Sequence, residues 1–172
     1  YTPSASKVPA VNPFMVMILI PYTTFGLYPL MERWGMNPHP LRRMTLGMFM
    51  AAVSYVTVAL IQHGIDASAD TGEKVHIGWQ LVPYFIITLS EVMVSITGLE
   101  FAYSQAPKKM KSVIMGFWLL NVTVGSLLVV FLAGFKGLSP ANFFWVFAGL
   151  MAVAAAGFGY RASSYKYRDY TQ

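Results

Sequence analysis

Residues 90–111 read SEVMVSITGLEFAYSQAPKKMK, and the uncharged run WQLVPYFIITL lies just before them. Glu91 therefore sits deep in an apolar segment, twelve residues after Trp79 and twelve before Tyr103. A carboxylate so placed can hold a cation or take up a proton. A neighbouring cation favours its ionised form and burial favours the neutral one, so the group can switch when its partner moves. Ser95 at i+4 and Gly98 at i+7 fall on the same helical face as Glu91. A carboxylate, a hydroxyl and bare backbone in one stripe suit a cavity wall, although small-residue helix packing explains Gly98 equally well. Glu100, nine residues on, is expected on the opposite face as a structural or gating contact. Trp118, Asn121 and Gly125 follow at i, i+3 and i+7. Trp118 is either a cavity-lining aromatic that packs on an apolar part of a substrate or a core or lipid-facing ring. Asn12, ahead of Pro13, either donates and accepts hydrogen bonds in a site or serves as an N-cap.

The elements that position these residues follow from composition. The 172 residues are 56% hydrophobic and 11% charged, with mean hydropathy +0.53, whereas ordinary soluble domains carry about 25% charged residues. Several apolar runs approach or exceed ~18 residues, the length of a membrane span. They do not alternate as barrel strands do. The reading is an all-α, polytopic transmembrane helical bundle forming one unit over 1–172. Its five spans are expected at roughly 8–31, 43–63, 78–104, 112–135 and 140–161. The polar stretch GIDASADTGEKVHIG separates the second from the third, and SSYKYRDYTQ forms a polar tail. Pro13, Pro21 and Pro29 in the first span are expected to kink it and free carbonyls. Such breaks accompany cavities or moving parts in membrane helices.

Other chemistries are poorly served. There is no cysteine, hence no disulfide framework or thiolate metal site. His39, His63 and His76 lie in loops or at helix ends, so no haem or other metal site is expected. No HExxH, GxSxG or P-loop occurs, so the chain is read as a non-enzyme without a cofactor. The net charge of +5 is assigned to topology and not to nucleic acid. Counting loops alternately, nine basic residues fall on one side: Arg33, Arg42, Arg43, Lys108, Lys109, Lys111, Arg161, Lys166 and Arg168. Lys7, Lys74 and Lys136 fall on the other. The positive-inside rule puts the first side in the cytoplasm, with the N-terminus outside and the C-terminus inside. The chain opens on Tyr1 with no leader ahead of the first span, and is read as a piece of a longer protein with further helices upstream.

The run SEVMVSITGLEFAYSQAPKKMKSVIMGFWLLNVTVGSLL resembles the tenth and eleventh helices of the proton-dependent oligopeptide transporter (POT/PTR) family of the major facilitator superfamily. VNPFMVMILIPY resembles that family's eighth helix, where the Asn-Pro pair is typical. ERWG followed by LRRM resembles a stretched version of the superfamily loop, here joining helices eight and nine. The resemblance covers essentially the whole chain and implies a partial C-terminal half, helices eight to twelve. It implies proton-coupled symport of di- and tripeptides across the cytoplasmic membrane, by alternating access around a midplane site. Glu91 resembles the helix-ten glutamate that faces the peptide's amino end and pairs with a helix-four lysine. Ser95 and Trp118 resemble pocket positions, and Asn12 the asparagine that contacts the peptide amino terminus. Gating is assigned to the cytoplasmic ends of the third and fourth spans, with Glu100, Tyr103 and Lys108. The helix-one ExxER motif, the helix-four lysine and the helix-seven tryptophan belong to helices outside this chain, which is not expected to transport alone. Competing readings keep the fold with another cargo (nitrate, amino-acid-like or drug-like) or make the chain a non-transporting membrane subunit.

Overall fold

The computed structural model describes residues 11–33, 35, 39–69, 77–134 and 139–165. Five helices in it are long and apolar enough to cross a membrane: Asn12–Arg33, Pro40–Ser68, Gly78–Ser104, Lys111–Ala133 and Pro140–Ser163. No strand occurs among the described residues. In hydrocarbon each unsatisfied backbone group costs several kcal/mol, so an apolar chain this long folds as helices. The second helix runs past its expected end at 63. Gln62 Nε2 donates to Asp66 Oδ1 at 2.9 Å and Ser68 Oγ donates to the Gly64 carbonyl at 2.7 Å. Hydropathy marks where the hydrocarbon ends, whereas local hydrogen bonds carry the helix beyond it. The fifth helix starts at Ser139, whose Oγ accepts from the Asn142 N–H, with Pro140 in its first turn.

Two spans depart from α geometry. The first contains a π-helical turn, Thr23–Leu27, two residues after Pro21, and the third contains another, Val92–Ile96, directly after Glu91. The proline does not end the first helix. The Thr23 and Thr24 hydroxyls both donate to the Ile20 carbonyl at 2.9 Å. Side-chain hydroxyls and local π adjustments are what make such breaks tolerable in a membrane helix. The two spans meet through Leu19, Leu89 and Val92, with Val16 and Leu27 packed around them.

The second span is the spine of the described bundle, packed against the third on one side and the fifth on the other. Toward the third it presents Gly47 and Ser54. A Cβ added at Gly47 would lie 2.8 Å from Val94 Cγ2 and 3.0 Å from Met93 Cβ. That closeness lets Ser90 Oγ donate to the Gly47 carbonyl at 2.6 Å, and Ser54 Oγ donates to the Pro83 carbonyl at 2.7 Å. Toward the fifth span, buried alanines recur every seven residues: Ala52 and Ala59 on one helix, Ala141, Ala148 and Ala155 on the other. A seven-residue repeat keeps one seam facing a partner, and small side chains bring the backbones close. The fourth span is different, having no buried residue.

Because a side chain at Gly47 must overlap the third span, Gly47→Val is expected to destabilise the protein by about 1–3 kcal/mol. Gly149→Ala, whose Cβ meets nothing within 4 Å, should be neutral. Thermal unfolding in a mild detergent measures both.

Candidate substrate site and its polar neighbours

Glu91 is carried on the third span, just before the π-turn, and its side chain is exposed on the described bundle. Its hydrogen-bond partner is Asn12 of the first span, whose Nδ2 lies 3.4 Å from Glu91 Oε2, at the long end for such a bond. The amide's orientation follows from this contact, since the opposite flip would set Oδ1 against an ionised carboxylate with no proton between them. Asn12 Oδ1 is buried and accepts no hydrogen bond among the described residues. The Glu91 carboxylate, exposed on the described bundle, is an acceptor that suits a donor-rich cation. No N-capping contact by the Asn12 side chain occurs among the described residues. No ion pair to Glu91 occurs among the described residues.

The stripe expected from ideal helical spacing is altered. Gly98 does not share a cavity wall with Glu91, because it is buried under the fourth and second spans. A Cβ there would lie 2.9 Å from Trp118 Cη2 and 3.0 Å from Met44 Cε. The π-turn adds a residue to one turn and rotates everything beyond it relative to 3.6-residue spacing. Ser95 lies half-buried within that turn. Trp118 is half-buried, its ring edge seated on Gly98 and the rest accessible, so it packs as a core ring and presents a surface at the same time. Asn121 is exposed, and a Cβ at Gly125 would meet nothing.

Glu100 lies elsewhere. It lines a 290 Å³ cavity between the first and third spans, with Thr24, Tyr28, Glu32, Arg43 and Thr97. Both π-turns contribute to its wall through Thr23 and Ile96. The Arg43 guanidinium carbon stands 3.8 Å from the Tyr28 ring centroid, a cation–π contact, and Arg43 Nε is buried without a hydrogen-bond partner among the described residues. Tyr28 Oη is 3.5 Å from Thr97 Oγ1. This cluster escapes a sequence reading, because Glu32 and Arg43 register there only as loop charges. Tyr103 is half-buried, with Lys111 Nζ 6.0 Å from its ring centroid. Lys108 opens the 3₁₀ turn Lys108–Met110, and its side chain lies outside the described residues. So do Lys7, Lys74, Lys136, Lys166, Arg168 and His76. No cluster of metal-ligating side chains occurs among the described residues.

A family model described as POT family matches residues 3–146. The chain belongs to the POT family. Among its relatives are Peptide transporter family 1 of Drosophila melanogaster, 49% identical over 96 residues, which are 55% of this chain and 13% of that protein. Solute carrier family 15 member 3 of Mus musculus is 32% identical over 186 residues, covering 90% of this chain and 32% of the relative. The chain therefore spans under a third of the length of these two curated relatives. Among solved structures, an auto-inhibited POT family peptide transporter matches all of this chain and 36% of its own, with TM-score 0.79 and 41% identity. The POT family transporter PepTSo matches 90% of this chain and 32% of its own, with TM-score 0.80 and 43% identity. The five helices are thus part of a major facilitator superfamily transporter fold, in a multi-pass membrane protein.

The absence of cysteine makes the central contact directly testable. With Asn12→Cys and Glu91→Cys combined, a short bifunctional thiol reagent should join the two positions within membranes. Proteolysis between the first and third spans, followed by electrophoresis, reads the join. Two fragments that always separate would remove the contact.

Proposed function

We propose that this chain supplies the C-terminal part of the substrate site in a proton-coupled symporter of di- and tripeptides. The observation that carries the reading is the Asn12–Glu91 contact, which leaves the Glu91 carboxylate exposed on the described bundle. A peptide's terminal ammonium has three donors and one positive charge, which matches that carboxylate. Ser95 and Trp118 complete the chain's side of the pocket. Trp118 offers an aromatic surface to a peptide side chain, and Ser95 a hydroxyl one turn from Glu91.

Proton coupling follows from where the carboxylate sits. Glu91 is about twelve residues from either end of its span, and an ionised group near the bilayer centre costs ~2.5–3.5 kcal/mol even on lenient scales. Its counter-charge therefore comes from elsewhere in the transporter, in this reading a lysine of the N-terminal half. While the pair is made, Glu91 is ionised and one gate is held shut. A proton on Glu91, or a peptide ammonium in place of the lysine, breaks the pair. Inward proton movement supplies ~2.3 kcal/mol per charge per 100 mV. The membrane is the cytoplasmic one, with the N-terminus of this chain outside and its C-terminus inside. The role is transport and not catalysis. Glu100, Tyr103 and Lys108 lie toward the cytoplasmic end of the third span and the turn after it, where gating rearrangements would occur.

Glu91→Gln in the full-length transporter is expected to abolish proton-driven dipeptide uptake while leaving membrane expression intact. Unchanged uptake sinks the switch, and failure of unlabelled dipeptides to compete redirects the site to another solute. Cysteines placed at Tyr103 and Lys108 should change their labelling rate when peptide is added. Constant rates would remove the gating assignment.

A further inference from the structure

Two cavities lie between the second and fifth spans. One, of 480 Å³, is lined by Arg42, Thr45, Leu46, Phe49, Gly159 and Ser163, with His39 beside Arg42. The other, of 460 Å³, is lined by Phe49, Val53, Val56, Trp145, Gly149 and Ala152. Phe49 lines both, so the two adjoin at its side chain and are read together as a furrow with a basic end and an apolar length. At about 100° per residue, Arg42, Phe49 and Val53 fall on the side of the second span away from Gly47, which faces the third. No residue of the Asn12–Glu91 site takes part, and no acidic residue lines either cavity among the described residues.

The furrow's dimensions match one leaflet. Arg42 to Val56 spans about 21 Å of helix, against ~15 Å for half of a ~30 Å hydrocarbon core, which leaves one turn for a headgroup. Its floor is backbone and small side chains, with Ala148, Gly149 and Ala152 on the fifth span. A Cβ built on Gly149 would meet no atom within 4 Å. Its walls stay open, with Phe49, Val53 and Trp145 exposed by 43%, 55% and 42%.

We propose that this furrow seats one anionic phospholipid of the cytoplasmic leaflet, its phosphate on Arg42 and one acyl chain along Phe49, Val53 and Trp145. A basic pocket between helices on the cytoplasmic side suits anionic headgroups, and the adjoining apolar cavity suits a lipid and not a free phosphate. The proposal rests on the orientation given above and not on the transported solute, so it stands or falls separately from peptide transport.

Native mass spectrometry of the purified, delipidated full-length protein tests it. Phosphatidylglycerol should be retained in preference to phosphatidylcholine of the same chains, and inorganic phosphate should not displace it. Arg42→Gln should lower that preference about fivefold. Gly149→Phe, which fills the open track, should lower retention of both lipids. Equal retention of the two lipids by the parent protein overturns the proposal, as does an unchanged preference in Arg42→Gln or displacement by phosphate alone. Lipid retained unchanged by Gly149→Phe removes the acyl seat. The Arg42→Gln result holds whether or not the Gly149 variant folds.

Discussion

Hydrocarbon offers no water to a polar group, and the architecture of this chain follows from that. Every backbone group within the membrane must find a partner in the protein, which selects helices and keeps them continuous even through Pro21. Where the ladder is disturbed, hydroxyls intervene, as Thr23 and Thr24 do on the Ile20 carbonyl. The same demand reaches across helices, where Ser90 and Ser54 hold the second and third spans together through carbonyls. It bears hardest on the charged groups. Glu91 takes Asn12 as its partner, and Arg43 takes the face of Tyr28.

Hydrocarbon also removes the hydrophobic drive between helices, leaving close packing to associate them. The alanine seam between the second and fifth spans and the contact at Gly47 form a tight layer. The site is built where that layer meets looser elements. Glu91 sits on the third span, within that layer, whereas Trp118 sits on the fourth, which has no buried residue. Elements packed so differently differ in local stability. Local stability differences of this kind accompany functional motion.

Membership in the POT family accounts for the unfinished appearance of the exposed face. The described bundle matches 36% of a solved transporter chain. A fourth span without buried residues and an exposed mid-membrane carboxylate are what a bundle shows when its neighbours belong to the rest of such a transporter. Glu100, Arg43, Tyr28 and Glu32 are more self-contained, gathering around one cavity lined by three spans of this chain.

Much of the fold was legible in the residues themselves, because span formation is a local property: a run of apolar side chains has one way to satisfy its backbone in lipid. Glu91 stands out in the sequence for the same reason, since the cost of a charge depends on its depth and depth follows from counting residues. The face each side chain occupies was not. Two π-turns shift the helical register, and no motif in Val92–Ile96 announces one. Gly98 thus went to Trp118 and Met44 and not to the wall beside Glu91. The contact between Asn12 and Glu91 joins residues 79 apart, and the stacking of Arg43 on Tyr28 crosses two helices. Such pairings depend on which helices can approach closely. Approach is decided by the fit of Gly47, Ala52 and Ala148 against their neighbours, a property of surfaces in three dimensions that spacing along the chain does not contain.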